Sequence, residues 1–188
     1  MKKNIVVLIS GRGSNLKSIL SATKDANYPA IVSLVISDNS KAQGLDIAKY
    51  NNVDNVIIER SSFESNDNFE EDLIKKITQY NPSLICLAGF MKILSKGFVE
   101  KFMGKIINIH PSLLPKYKGL NTHQKAINSG DKHSGCTVHY VNDKMDDGEI
   151  IAQQKVIIAI DETVETLKDK VLDLEHKLYP KVIKELLS

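Results

Sequence analysis

Residues 4–20 read NIVVLISGRGSNLKSIL. Asn4–Ile9 is an unbroken apolar run rich in Val and Ile, the pattern of a strand covered on both faces in a parallel sheet. It passes directly into Ser10-Gly11-Arg12-Gly13-Ser14-Asn15 and then into helical spacing through Leu16, Ile19 and Leu20. Strand, glycine turn and helix N-terminus together make an anion site, because glycine lets the backbone approach and the first-turn N–H groups have no helical partner. Phosphate is the natural guest. Ser14 and Asn15 add side-chain donors, Ser14 is a candidate helix cap, and the Arg12 side chain either reinforces the loop or points to solvent. Gly11-x-Gly13 followed by Asp38 resembles part of a dinucleotide fingerprint, but Leu16 stands where the third glycine belongs, and GxxxxGK[ST] is absent. A phosphate ester fits better than NAD(P), and a turn that binds nothing remains the plain alternative.

Outward from this unit, strand and helix patterns alternate. Strands are expected at Ile31–Ile36, Val56–Ile58 and Ser83–Ala88, and helices at Ala42–Tyr50 and Phe69–Tyr80. That order implies right-handed crossovers and a parallel sheet. Gly89–Leu94, GFMKIL, leaves a strand end as an unusually apolar loop that either packs on the domain or lines an apolar pocket. A helix around Lys96–Phe102 precedes the stretch Lys105–Gly119, KIINIHPSLLPKYKG. Thr122–Ser129 is helical with Gly130 as a C-cap. Gly135–Val141 and Glu149–Ile158 are strands joined by a loop containing Asp147-Gly148, a hairpin signal that predicts antiparallel pairing. Val164, Leu167, Val171, Leu174 and Leu178 predict a long helix starting near Asp161–Thr163, kinked or ended by Pro180. Glu175 lies beside its apolar stripe, so it faces either the protein or the solvated boundary. The fold expected is a single-domain, Rossmann-like, three-layer α/β structure over residues 1–188, mostly parallel with antiparallel C-terminal strands.

Composition agrees with one compact domain: 188 residues, 42% hydrophobic, net charge +2 with both signs mixed. No charge footprint argues for nucleic acid or a membrane surface. MKKNIVVLIS begins like a signal peptide, but Arg12 and Asn15 cut the run short. No apolar stretch approaches the roughly 20 residues of a membrane span. Cys86 and Cys136 are far apart without CxxC, which points to reduced thiols and a cytoplasmic protein. Cys86 reads as a core thiol. His123, His133 and His139 form neither HExxH nor a compact Cys/His cluster, and the loop at Asn142–Gly148 lacks the DxDxDG spacing of a calcium site, so no metal is expected.

In an open α/β sheet, ligands lie at the carboxyl ends of the strands. In Ile106-Ile107-Asn108-Ile109-His110 the isoleucines are buried, so Asn108 and His110 emerge on one side where the strand ends. An amide beside an imidazole offers a donor to a developing oxyanion and a group that exchanges a proton near neutral pH. With the Gly11–Asn15 loop, the Phe90–Leu94 loop and Asp146, this pair suggests group transfer between two bound molecules.

ISGRGSNL, LAGFMKIL, INIHPSLLPKYKG, DKMDDGEI and the late LEHKLYP together closely resemble the phosphoribosylglycinamide formyltransferases, folate-dependent enzymes of purine synthesis. The resemblance spans nearly the whole chain. NIHPSLLPxYxG marks the wider formyltransferase family, and GRGSNL with this length narrows it. It implies formyl transfer from 10-formyltetrahydrofolate, as co-substrate, to the amino group of glycinamide ribonucleotide, without a covalent enzyme intermediate or a metal. By resemblance, Asn108, His110 and Asp146 are catalytic. Gly11, Arg12, Gly13, Ser14, Asn15 and Glu175 hold the ribonucleotide. Asn66, Met91, Lys92, Ile93, Leu94, Asn108, Asn142, Asp143, Lys144, Met145 and Asp146 surround the folate. The resemblance also implies a cis bond at Leu114-Pro115 and leaves monomer and homodimer both open. Lys92, Asn66, Lys118, Asn121 and Asp147 depart from the family pattern, which bears on folate affinity and loop geometry.

Three other readings follow from the same residues. A formyltetrahydrofolate deformylase would use the same triad with water as acceptor, but ordinarily adds an N-terminal domain. A methionyl-tRNA formyltransferase would need an RNA-binding domain and a more basic surface. A non-catalytic phosphosugar sensor would not need Asn108, His110 and Asp146 intact.

Overall fold

The computed structural model describes all 188 residues. The apolar run at the N-terminus forms β1 (Lys3–Ile9), completely buried from Ile5 to Ile9. A strand without a wet face needs neighbours on both edges and layers on both sides, and it has them. The sheet has seven strands in the order β3-β2-β1-β4-β5-β6-β7. β2 (Ala30–Ser37) and β4 (Leu84–Leu87) flank β1 in parallel, and β3 (Asn55–Ile57) and β5 (Ile106–His110) extend the parallel part. β6 (His133–Tyr140) and β7 (Ile150–Ile157) are antiparallel additions.

Helices cover both faces. On one side α1 (Ser14–Thr23), α2 (Gly44–Tyr50), α5 (Thr122–Asn128) and α6 (Val164–Leu187) enclose a core containing Val7, Ile9, Leu16, Leu45, Ala126, Val171 and Tyr179. On the other, α3 (Asn66–Gln79) and α4 (Lys96–Lys101) pack Phe69, Leu73, Ile77 and Phe98 against Val6, Leu8 and Ile85. The alternate residues of β1 therefore feed opposite cores, as expected of a period of two. This is the three-layer α/β fold that the sequence predicts.

Two details differ. Ser14 does not cap α1: Gly13 takes the cap position with φ +74° and makes no side-chain cap bond, leaving Ser14 as the first helical residue. Pro180 does not end α6, which continues to Leu187. Proline in a helix interior costs about 3 kcal/mol. Burial of Leu178, Tyr179, Val182 and Ile183 on the sheet around it offsets that penalty, at roughly 1.5–3 kcal/mol for each large apolar side chain. The start of α6 is well defined, because Thr163 and Thr166 form a reciprocal capping box.

Tyr179 ties this helix to the two strands at the centre of the cleft. Its buried hydroxyl lies 3.0 Å from the Leu87 carbonyl, at the carboxyl end of β4, and 3.1 Å from that of Ile107, near the start of β5. Tyr179→Phe removes the only side-chain donor to those carbonyls, and we expect a loss of about 1–3 kcal/mol in urea unfolding. An unchanged midpoint would show that the bridge contributes nothing to stability.

Candidate active site

The carboxyl ends of β1, β4, β5 and β6 open onto one cavity of about 1290 Å³. It is lined by Ser10–Asn15, Leu87–Leu94, the Asn108–Pro111 turn, Gly119–Gln124, Asn142–Asp146 and, from α6, Lys168, Leu172 and Glu175. Every residue expected in the site borders it except one. Asn66 is exposed in the first turn of α3, where its amide nitrogen lies 3.1 Å from Glu70 Oε1. The buried Glu70 carboxylate also accepts the Ser95 amide N–H at 2.8 Å and the Ser95 hydroxyl, so Asn66 belongs to a clamp between α3 and the start of α4. It stands apart from the residues that line the cavity.

The glycine loop is shaped by close backbone packing. A Cβ on Gly13 would lie 2.5 Å from Gly44 Cα, and its φ of +74° favours glycine in any case. Gly44, at the start of α2, therefore supplies the tight contact that the missing third glycine would otherwise make, a role that sequence spacing did not disclose. Arg12 is exposed. Asn15 is buried, with Nδ2 donating to Glu175 Oε2 at 2.7 Å and Oδ1 left without a protein partner. Glu175 is thus turned inward, and burial pushes its carboxyl up to about 7 against the pull of the Asn15 hydrogen bond.

Asn108 and His110 leave the same face of β5. His110 is 6% exposed, with Nε2 3.0 Å from the Tyr117 carbonyl and Nδ1 3.3 Å from Asp146 Oδ2. The carbonyl fixes a proton on Nε2, since a carbonyl can only accept. Burial holds the imidazole below its ordinary value, while the Tyr117 carbonyl and Asp146 pull upward. Asp146 lies in the turn between β6 and β7 at φ +49°, left-handed for a residue with a side chain. Its Oδ2 accepts the Gly119 N–H at 2.9 Å. Burial alone would raise this carboxyl, but His139, the Gly119 amide and the charge of the imidazoles together hold it below the usual range. It is the acceptor around which the histidines collect.

The turn also differs from its sequence reading in one respect. Asp147-Gly148 suggests glycine for its positive φ, yet the left-handed residue is Asp146. Gly148 is required for space, because a Cβ there would come within 1.7 Å of the Tyr140 carbonyl. Asp147 instead pairs with Lys118 on the facing loop, so two of the positions noted as departures in the sequence contact each other. The cis bond at Leu114-Pro115 is present.

In the sequence His139 is only one more histidine without a metal motif. It is 2% exposed and lies directly opposite Asn108 in the β5–β6 register, with Nε2 3.2 Å from Asn108 Nδ2. Only the pairing of the two strands reveals this neighbour. On the apolar side, Phe90 and Leu94 are buried, while Met91, Ile93, Leu120 and Met145 stay exposed at the cavity wall. The GFMKIL loop therefore both packs on the domain and lines the pocket. Burial raises the Cys136 thiol to about 12, and Cys86 is completely buried, so neither is a ready nucleophile.

An anion loop, an apolar wall and an amide–imidazole–carboxylate group on one α/β strand edge define an enzyme of the group-transfer class. Residues 3–183 match the Formyl transferase family, and the chain belongs to that family. It is 43% identical over 182 residues to the phosphoribosylglycinamide formyltransferase of Haemophilus influenzae, covering 97% of this chain and 86% of that one. The phosphoribosylglycinamide formyltransferase structure from Brucella melitensis superposes with a TM-score of 0.97 at 38% identity, covering 100% of this chain and 97% of the other. The Coxiella burnetii enzyme, solved in complex with CHES, gives 0.96 at 44% identity, covering 100% and 88%. No helix is long and apolar enough to cross a membrane.

The raised Glu175 carboxyl has a measurable consequence. Below about pH 4.5 it is protonated in both the folded and unfolded chain; as pH rises toward 7 the unfolded chain releases this proton first, and folding loses up to about 3 kcal/mol. Glu175→Gln should therefore gain on the wild type by that amount between about pH 4.5 and 8 in urea unfolding. A difference that stays flat with pH would contradict a buried, raised carboxyl.

Proposed function

We propose that the chain transfers the formyl group of 10-formyltetrahydrofolate to the amino group of 5-phosphoribosylglycinamide, giving the N-formyl ribonucleotide of purine biosynthesis. The observation that carries this reading is the cavity itself. At about 1290 Å³ it exceeds the 300–1,000 Å³ usual for one small ligand, and its walls are of two kinds. Around Gly11, Arg12, Gly13, Ser14 and Asn15 it offers backbone N–H groups to a phosphate, with the Glu175 side chain on the same wall for ribose hydroxyls. Around Met91, Lys92, Ile93, Leu94, Asn142, Asp143, Lys144 and Met145 it offers apolar surface with polar edges, suited to a pterin ring and its charged tail. Asn108, His110 and Asp146 border the same space.

The amine attacks the formyl carbon, a C–N bond forms, and the carbonyl oxygen becomes an oxyanion. Asn108 donates an N–H to that oxygen, a contribution that grows only as charge develops. His110 is held in the resting cleft with its proton on Nε2. The negative charge arising beside it favours the imidazolium, formed when the one proton released by the amine reaches Nδ1 by way of Asp146, and that Nδ1–H then lies between Asp146 and the oxyanion. Asp146 accepts the proton released by the amine and passes it, through water or His110, to the folate nitrogen. Collapse of the intermediate breaks the old C–N bond and leaves one proton moved from amine to folate, with no covalent enzyme adduct. The enzyme works in the cytoplasm on these two small molecules, as a monomer or homodimer.

His110→Ala and Asp146→Asn should each lower kcat by about 100-fold or more while glycinamide ribonucleotide and folate binding, read by calorimetry, change little. Unchanged turnover in either variant would remove that residue from the mechanism.

A further inference from the structure

We propose that His139 is a positioning residue that holds the Asn108 amide so that an N–H, and not the carbonyl, faces the reacting oxygen. The inference rests on the transfer reading above and starts from three contacts. His139 Nδ1 lies 2.8 Å from the carbonyl of its own neighbour, Tyr140. A carbonyl offers no proton, so Nδ1 must carry one. In the neutral ring Nε2 is then a bare lone pair, and Asn108 Nδ2, 3.2 Å away, donates to it. That bond selects one of the two orientations of the Asn108 amide, since its carbonyl oxygen turned toward Nε2 would set two lone pairs against each other.

The choice matters because the last torsion of an asparagine side chain is broad and nearly two-fold. Asn108 has no other protein hydrogen bond to its side chain among those found, so the contact to His139 alone decides which edge enters the cavity. Its second N–H is left for the substrate. The local backbone is built for this aim. The β6–β7 register shifts between Val138 and His139, a bulge of the kind that redirects a side chain beside a site. Gly148 packs against the Tyr140 carbonyl and lies near His139 Nδ1, where a Cβ would come within 3.5 Å of that nitrogen. Asp146 Oδ1 stands 3.7 Å from Nε2, farther than the Asn108 amide, which is therefore the nearer partner of that nitrogen.

The test is a cycle in the full-length enzyme. His139→Leu should lower kcat roughly 10- to 100-fold with both KM values within about twofold, the scale of losing an outer partner of a site residue. His139→Gln, whose amide oxygen can accept the same N–H, should recover part of that loss. In an Asn108→Ala background, His139→Leu should cost less than about twofold, because a residue acting through another has nothing left to act on. A full loss in that background, or a rise in KM matching the fall in kcat, would overturn the proposal. Wild-type transfer with an additive cycle refutes this role alone, whereas absence of wild-type transfer refutes the transfer reading. Should His139→Leu fail to fold, nitrogen-15 spectra of histidine-labelled wild type decide the point: Nδ1 protonated and Nε2 bare supports it, and the opposite tautomer contradicts it.

Discussion

One carboxylate organises the cleft. Asp146 draws the Gly119 amide from one loop, the His110 ring from β5 and, at longer reach, the His139 ring from β6. Only its own turn residues separate it from the sheet, and it adopts a left-handed backbone that a side chain normally disfavours. Such a conformation persists when the surroundings over-determine it, and here three groups on three chain segments do so. The same contacts keep the carboxyl ionised although burial opposes this, so the loop arrives with its charge already directed at the imidazole.

Around that point the fold gives each segment a distinct chemistry. The parallel half of the sheet delivers backbone N–H groups and an apolar loop, as doubly wound sheets do at the ends of their strands. The two antiparallel strands bring what a parallel strand could not: a hairpin that places Asp146 beyond the end of β6, and a cross-strand partner for Asn108. The long helix adds Glu175 from the helical layer that it shares with α1, and through Tyr179 it reaches the carboxyl end of β4 and the start of β5. Carboxylates therefore enter the cavity from two elements with opposite pKa directions. Burial with little compensation raises Glu175, whereas several donors outweigh the same penalty at Asp146.

The strands of the fold were legible because β1, β4 and β5 are rich in Val, Ile and Leu, and because alternation put Asn108 and His110 on one side. Asp146 was only partly legible: the order of strands put its turn near the ligand edge, but an acidic turn looks like any hydrophilic loop, and it was the family resemblance that gave the residue a role. Glu175 sat beside an apolar stripe, a position that fits solvent or protein equally, and packing against Asn15 decided it. His139 required the register of two strands distant in sequence. Asn66, which a family correspondence associates with the folate, lies outside the cavity lining with its amide engaged by Glu70, a local contact that spacing does not reveal. Pro180 and Ser14 follow the same lesson at smaller scale: tertiary burial outweighed a helix breaker, and a left-handed glycine took the cap position from a serine.

The central claim is that this cleft passes a formyl group between two bound molecules and not to water. It is tested most directly by following 10-formyltetrahydrofolate consumption by absorbance with and without glycinamide ribonucleotide. The account predicts consumption only when the ribonucleotide is present, with the formylated ribonucleotide as product. Equal consumption without it, with free formate released, would contradict transfer and make water the acceptor.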